Sequence, residues 1–230
     1  MKQLFRTAVF SAIASIALAS CAEEAPSSAK GETTTTEVKK EEFQVISLNN
    51  EERAKLDNRV SALLNDQTAG NYTASVEHYF PKIYGSETDK TQLAEALANQ
   101  RSFGVEQTFS DFELLWVSPY FKETGYEVCF AMYQVKHSIK LTGQMAEKFN
   151  AYETNIKDMY GRQYYTKDAA NNTYLIDGPI KFFFFKTDAG DVYLLNEEIL
   201  RSAIASTLFQ TFNLQDMKQF ETKARKQLGV

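Results

Sequence analysis

The stretch 109-FSDFELLWVSPYFKETGYEVCFAMYQV-135 decides the fold, because here the apolar residues begin to recur at every second position. Phe112, Leu114 and Trp116 point one way and Glu113, Leu115 and Val117 the other, so the first half reads as a strand that is apolar on much of both faces. Gly125 marks a turn. Beyond it Tyr126, Val128, Phe130 and Met132 share one face and Cys129, Ala131, Tyr133 and Val135 the other, and the two halves are expected to pair as long antiparallel strands.

Upstream of this pair the spacing is helical. Asn49 followed by Glu52 has the form of a capping box, and Leu56, Val60, Leu63 and Leu64 form one stripe, which predicts a helix ending before Gly70. A second helix, from Asn71, carries Val76, Tyr79 and Phe80 until Pro81 stops it. Asp89 with Gln92 gives a third start signal, with Leu93, Ala96 and Leu97 inside and an end near Gly104.

Downstream, Met145, Phe149, Tyr152, Ile156 and Met159 predict a helix over 142–161, inserted between strands; a stripe of this kind fills a core rather than forming a cofactor box. A polar loop over 166–173 leads to an expected turn at Asp177-Gly178-Pro179. Residues 180–186, with four consecutive Phe, suit a strand covered on both sides. Asp188-Ala189-Gly190-Asp191 is a hairpin connection to a return strand over 192–195. From Glu197 the chain is expected to be helical, with Ile199, Leu200, Ala203, Ile204 and Leu208 on one face and a charged end that frays. The order is α+β: helices packed on one face of a curved, cone-like antiparallel sheet, with the extra helix between strands.

The amino terminus has a different character. Lys2 and Arg6 precede an apolar run to Ala19, and small residues follow, which is the make-up of a secretory signal too short to span a bilayer. Leu18-Ala19-Ser20-Cys21 resembles the lipobox of bacterial lipoproteins. The resemblance implies that residues 1–20 are removed, that Cys21 becomes the first mature residue and carries acyl chains, and that the protein sits in the cell envelope, with the outer membrane as the expected site. Several acyl chains, at about 0.8 kcal/mol per CH2, anchor a protein stably where one short chain does not. Residues 22–42 are almost all Ala, Pro, Gly or polar and read as a disordered tether, about 25 Å across on average and about 70 Å at full stretch. Glu23-Glu24 looks like the acidic export signal of surface-displayed lipoproteins, while two acids that merely solvate the tether would look the same. Residues 43–230 are left as one globular domain with a core over about 45–210.

The composition bounds the partners. The 230 residues are 43% hydrophobic and 24% charged, an ordinary globular balance with a net charge of -5. Removing residues 1–20 takes Lys2 and Arg6 and no acid, leaving 23 Lys+Arg against 30 Asp+Glu and a net charge of -7. Such a surface repels polyphosphates, so nucleic acid is not expected as a partner. The partners expected are the lipid bilayer through Cys21 and an apolar small molecule or an envelope protein; the oligomeric state stays open. Of two cysteines, lipid would consume Cys21, and Cys129 sits in an apolar run as a small buried hydrophobe, so no disulfide is expected.

At His78-Tyr79-Phe80-Pro81-Lys82-Ile83-Tyr84 and on through Leu93-Ala94-Glu95-Ala96-Leu97, the chain resembles the nuclear-transport-factor-2-like, or SnoaL-like, superfamily. The resemblance implies a helical pair, a third helix and a curved sheet around a cone-shaped cavity, over about residues 45–200. The helix over 142–161 departs from that pattern and is expected to cover one end of the cone; a lipocalin-like or other α+β fold is the competing reading. Enzymes of the superfamily use a His or an acid inside the cone for proton transfer.

Here the candidates are His78, on a predicted helix, and His137, placed beside Lys136 near the exposed end of a strand. The bland reading of each is a structural or solvated histidine. No HExxH, CxxC, Gly-x-Ser-x-Gly, paired-carboxylate or phosphate-loop pattern occurs, and Asp188 to Asp191 lacks the ligands of a calcium loop, so neither metal nor cofactor is expected. The candidate pocket residues are His78, Tyr84, Trp116, Tyr133 and Tyr152. The expected function is a binding or interaction module without enzymatic activity; the alternatives are a SnoaL-like isomerase, hydratase or cyclase, and a structural envelope component.

Overall fold

In a computed structural model, residues 45–123, 125–197, 199 and 214–228 are described. The signal, Cys21, the tether and the stripe at Leu200, Ala203, Ile204 and Leu208 lie outside them.

Two long strands form the spine of the sheet. β4 (Tyr126–Leu141) pairs antiparallel with β6 (Thr173–Thr187) from Tyr126↔Thr187 to Lys140↔Thr173. β2 (Val105–Val117) and the short β3 (Tyr120–Glu123) follow one another along the free side of β4, broken at Ser118-Pro119, and β1 (Val45–Ile46) pairs with β3. On the far side of β6 lie β5 (Tyr165–Asp168) and β7 (Val192–Asn196), one at each end. The result is the expected α+β architecture, a curled antiparallel sheet with helices against it.

The residues explain why β6 is longer than the sequence predicts. Asp177-Gly178-Pro179 does not turn: Pro179 pairs with Gln134 and Gly178 with Val135 in an unbroken ladder. Gly178 is needed there for space, since a Cβ would stand 3.0 Å from the Cβ of Tyr164. Part of the expected loop over 166–173 is likewise β5. The hairpin at Asp188 to Asp191 forms as read, with Thr187 donating to the Asp191 carbonyl (2.9 Å) and Gly190 at φ +89°.

α1 (Asn50–Ala69) begins with the capping box, Asn49 Oδ1 accepting from Glu52 N at 2.9 Å and Glu52 Oε2 from Asn49 N at 3.0 Å. It ends at Gly70, and Leu56, Val60, Leu63 and Leu64 are its buried residues. The second helix is shorter than expected. α2 (Tyr72–Ser75) and a 3-10 turn (Val76–His78) stop before Tyr79, which pairs in parallel with Leu194, and Phe80 N donates to the Leu194 carbonyl at 3.2 Å. The third helix, α3 (Glu87–Ser102), is capped by Ser86, whose Oγ accepts from Asp89 N, so it starts earlier than the Asp89 signal suggested. The inserted helix is split into α4 (Gly143–Ala146) and α5 (Phe149–Tyr160).

Directly paired residues of antiparallel strands share a face. One face of the spine carries Cys129, Ala131, Tyr133, Val135 and His137 on β4, opposite Phe184, Phe182, Ile180, Gly178 and Ile176 on β6. This inner face meets α1, since Tyr133 Oη donates to Asp57 at 2.8 Å, and α5, through Phe149 and Tyr174 at 4.6 Å. The outer face carries Phe130 and Phe183, equally buried. It is covered by α6 (Leu214–Leu228): Phe220 packs edge-on to Phe121 at 5.8 Å, Arg225 stands over Trp116 and Phe130, and Lys181 pairs with Glu221 at 2.8 Å. Among the described helices, α6 therefore lies on the opposite face of the spine from α1 and α5, and the charged helix near the end of the chain docks where fraying was expected.

Candidate functional site

The inner face brings together two of the sequence candidates and separates the others. Tyr133 is fully buried, edge-on to Phe182 at 5.5 Å, and its hydroxyl is pinned by Asp57. Burial and then that carboxylate push its pKa far up, so it stays a neutral donor.

His137, two pairs along β4, corrects the expectation of an exposed strand end: it is 3% exposed. It packs between Phe109 of β2 (ring centroids 5.1 Å) and Tyr160 of α5 (5.0 Å, edge-on). No group meets either ring nitrogen in good hydrogen-bond geometry. Burial pulls the pKa down to about 4, and the nearby Val135 backbone offsets this only in part. The imidazole is therefore neutral at pH 7, with a lone pair and an N–H both available. Chemically it could accept or donate one proton, or anchor one polar group of an apolar guest.

His78 is a different case. Its Nδ1 lies 3.1 Å from Arg59 Nη1 and its Nε2 2.8 Å from Asp66 Oδ2. A guanidinium can only donate, so Nδ1 accepts and the proton sits on Nε2, donated to Asp66. Both nitrogens are occupied, and the ring ties α1 to the turn after it. Arg59 also stands over the Tyr193 ring at 5.5 Å. Sequence reasoning missed this cluster; its signal is Arg59 and Asp66 seven residues apart on one helix, facing the next element.

Tyr84, Trp116 and Tyr152 lie elsewhere. Tyr84 Oη donates to the Val76 carbonyl at 3.1 Å, and its ring lines a hollow of about 200 Å³ with Tyr79, Pro81, Lys90 and Tyr193. Trp116 is 37% exposed on the outer face. It was expected to point with Phe112 and Leu114, but a β-bulge between Leu114 and Trp116 shifts the register, so Leu114 pairs with Tyr133 and Trp116 with Met132. Tyr152 belongs to a second core cluster with Phe149, Ile156 and Tyr174. A second hollow, about 190 Å³, lies at the start of α1 around Glu52, Tyr120 and Lys186. There Lys186 Nζ donates to Glu52 (3.0 Å) and pairs with Glu127 (3.1 Å). Burial disfavours the charged amine, yet these two carboxylates outweigh it and raise its pKa.

Neither hollow is lined by His78 or His137. Cys129 is fully buried, and burial raises its thiol pKa far above neutrality, so it does not act as a nucleophile at pH 7. Among the described residues no cluster of three His, Cys, Asp or Glu is placed to hold a metal ion, and no helix is long and apolar enough to cross a membrane.

Compared with known proteins, the chain matches no family model and no curated sequence.

Proposed function

We propose that this protein is a bacterial lipoprotein, anchored to the outer membrane through acylated Cys21, whose α+β domain works by binding a partner in the envelope. The observation that carries the anchor is Leu18-Ala19-Ser20-Cys21 closing an apolar run with Lys2 and Arg6 before it. Binding rather than catalysis is favoured by the inner face. Tyr133, Phe182 and Phe184 fill it at no more than 1% exposure, and the hollows beside Tyr84 and Lys186 are each smaller than the 300–1,000 Å³ or so typical of small-molecule sites. A macromolecular partner suits such a domain better than a small guest.

A second reading, a SnoaL-like enzyme, is favoured by one observation, the desolvated and unbonded imidazole of His137. In that reading His137 is the proton-transfer group of the cone.

Metabolic labelling with an alkyne fatty-acid analogue tests the anchor. Wild type should incorporate label and Cys21→Ala should not; equal labelling of the two would rule the anchor out.

A further inference from the structure

α6 has two sides of opposite character. Its inner side spends Glu221 and Arg225 on the sheet: Glu221, 8% exposed, pairs with Lys181 and accepts from Arg225 Nε at 2.8 Å, while Arg225 stacks over Trp116. Its outer side carries Lys218, Gln219, Thr222, Lys223 and Lys226, all exposed. At 100° per residue these five fall within one arc of roughly 140°. The helix holds four basic residues against Asp216 and Glu221, in a chain whose net charge is -5.

The position of this strip gives it meaning. Phe220 packs on Phe121, and Phe121 pairs with Val45 of β1, so the first described strand lies beside the strand that α6 covers. Exposed Lys122 follows Phe121 on the same edge. The basic strip and the first described strand of the domain thus lie near one another.

We infer that the exposed face of α6, with Lys218, Lys223 and Lys226, docks on the anionic headgroups of the bilayer that holds the acylated cysteine. The inference rests on the lipoprotein reading. Lysines act on an anionic surface within a Debye length, about 8–10 Å, and a flexible spacer of about 21 residues is slack enough to let α6 reach that range. A basic patch and acyl chains together make a two-signal attachment. A bilayer meets only the α6 side of the domain, whereas a long soluble polyanion would also meet its acidic remainder.

The test is flotation of the purified mature chain, residues 21–230 with Cys21→Ala so that neither signal nor acyl chain contributes, with vesicles of phosphatidylcholine alone or with about 30% phosphatidylglycerol. Each lysine near such a surface is expected to raise partitioning about fivefold. Lys218→Gln/Lys223→Gln/Lys226→Gln should therefore lose at least about tenfold in binding to the anionic vesicles. A control triple at the other end of the domain, Lys140→Gln/Lys148→Gln/Lys157→Gln, should change it less than about twofold, and added salt should abolish binding. Equal loss in the two triples, or equal binding to both vesicle types, overturns the inference. So does binding to soluble polyphosphate through the same lysines without binding to vesicles, which would make the strip a polyanion site. Failure of this assay leaves acylation of Cys21 standing, and failure of the labelling experiment leaves this result standing.

Discussion

His137 keeps a polar ring in an apolar seam, between Phe109 and Tyr160, without a well-formed hydrogen bond. The cost appears as pH dependence. Its folded pKa, about 4, lies below the ordinary imidazole value of 6.5, so between these values the unfolded chain binds the proton and the folded chain does not. The stability tied to the neutral ring is fully present above pH 6.5 and drains away as the pH falls towards 4, by up to about 3 kcal/mol. The lowered carboxylates, Glu52 and Glu221 among them, start from an ordinary value of 4.5, and their contributions are lost below it. Between pH 7 and pH 5 the imidazole is thus the group to watch. Urea unfolding over that interval should show wild type losing about 2 kcal/mol and His137→Phe losing well under half of that; identical losses would contradict the buried neutral ring. The burial was legible in the alternation that puts residue 137 with Tyr133 and Val135. The adjacent Lys136 masked it, because a charged neighbour suggests a strand leaving the core, yet on a strand a neighbour always faces the other way.

Among the elements, those set by local chemistry could be read directly. The capping box at Asn49 and the stripe from Leu56 to Leu64 placed α1, and strict alternation placed β4. Elements set by distant partners could not. Asp177-Gly178-Pro179 looks like a turn in isolation, but β4 pairs along its whole length and Tyr164 covers Gly178. The bulge at Leu115 that turns Trp116 outward leaves no trace in a sequence of alternating apolar residues. α6 is the clearest case, since its charged sequence suggests fraying and its anchors, Phe121 and Lys181, lie 99 and 40 residues away from Phe220 and Glu221. Glu221 holds a carboxylate against its own burial because Lys181 and Arg225 outweigh that burial and keep its pKa low. Glu221→Ala would leave Lys181, with a side chain 20% exposed, facing a void of charge. It should cost about 1–3 kcal/mol and speed amide hydrogen exchange in α6 first, with α1 unaffected. Uniformly faster exchange throughout the domain would show instead that α6 and the sheet unfold as one unit.

At the scale of the molecule, fold and function were unequally legible. Periodicity gave the α+β class and the curved sheet, because burial patterns depend on local spacing. The candidate pocket of His78, Tyr84, Trp116, Tyr133 and Tyr152 was assembled from residue type alone, and the fold distributes those side chains over a helix staple, a surface hollow, the outer face, the inner core and a second core cluster. What the chain does is instead proposed from its two ends: Cys21 to hold it at a bilayer and the lysines of α6 to set the domain against that surface. The most direct test of this account is the mass of the amino-terminal tryptic peptide, residues 21–30, of protein purified from membranes. The account predicts a peptide that begins at Cys21 and carries diacylglycerol in thioether linkage to its sulfur. An unmodified Cys21, a mature chain starting at any other residue, or an intact Met1 would contradict it.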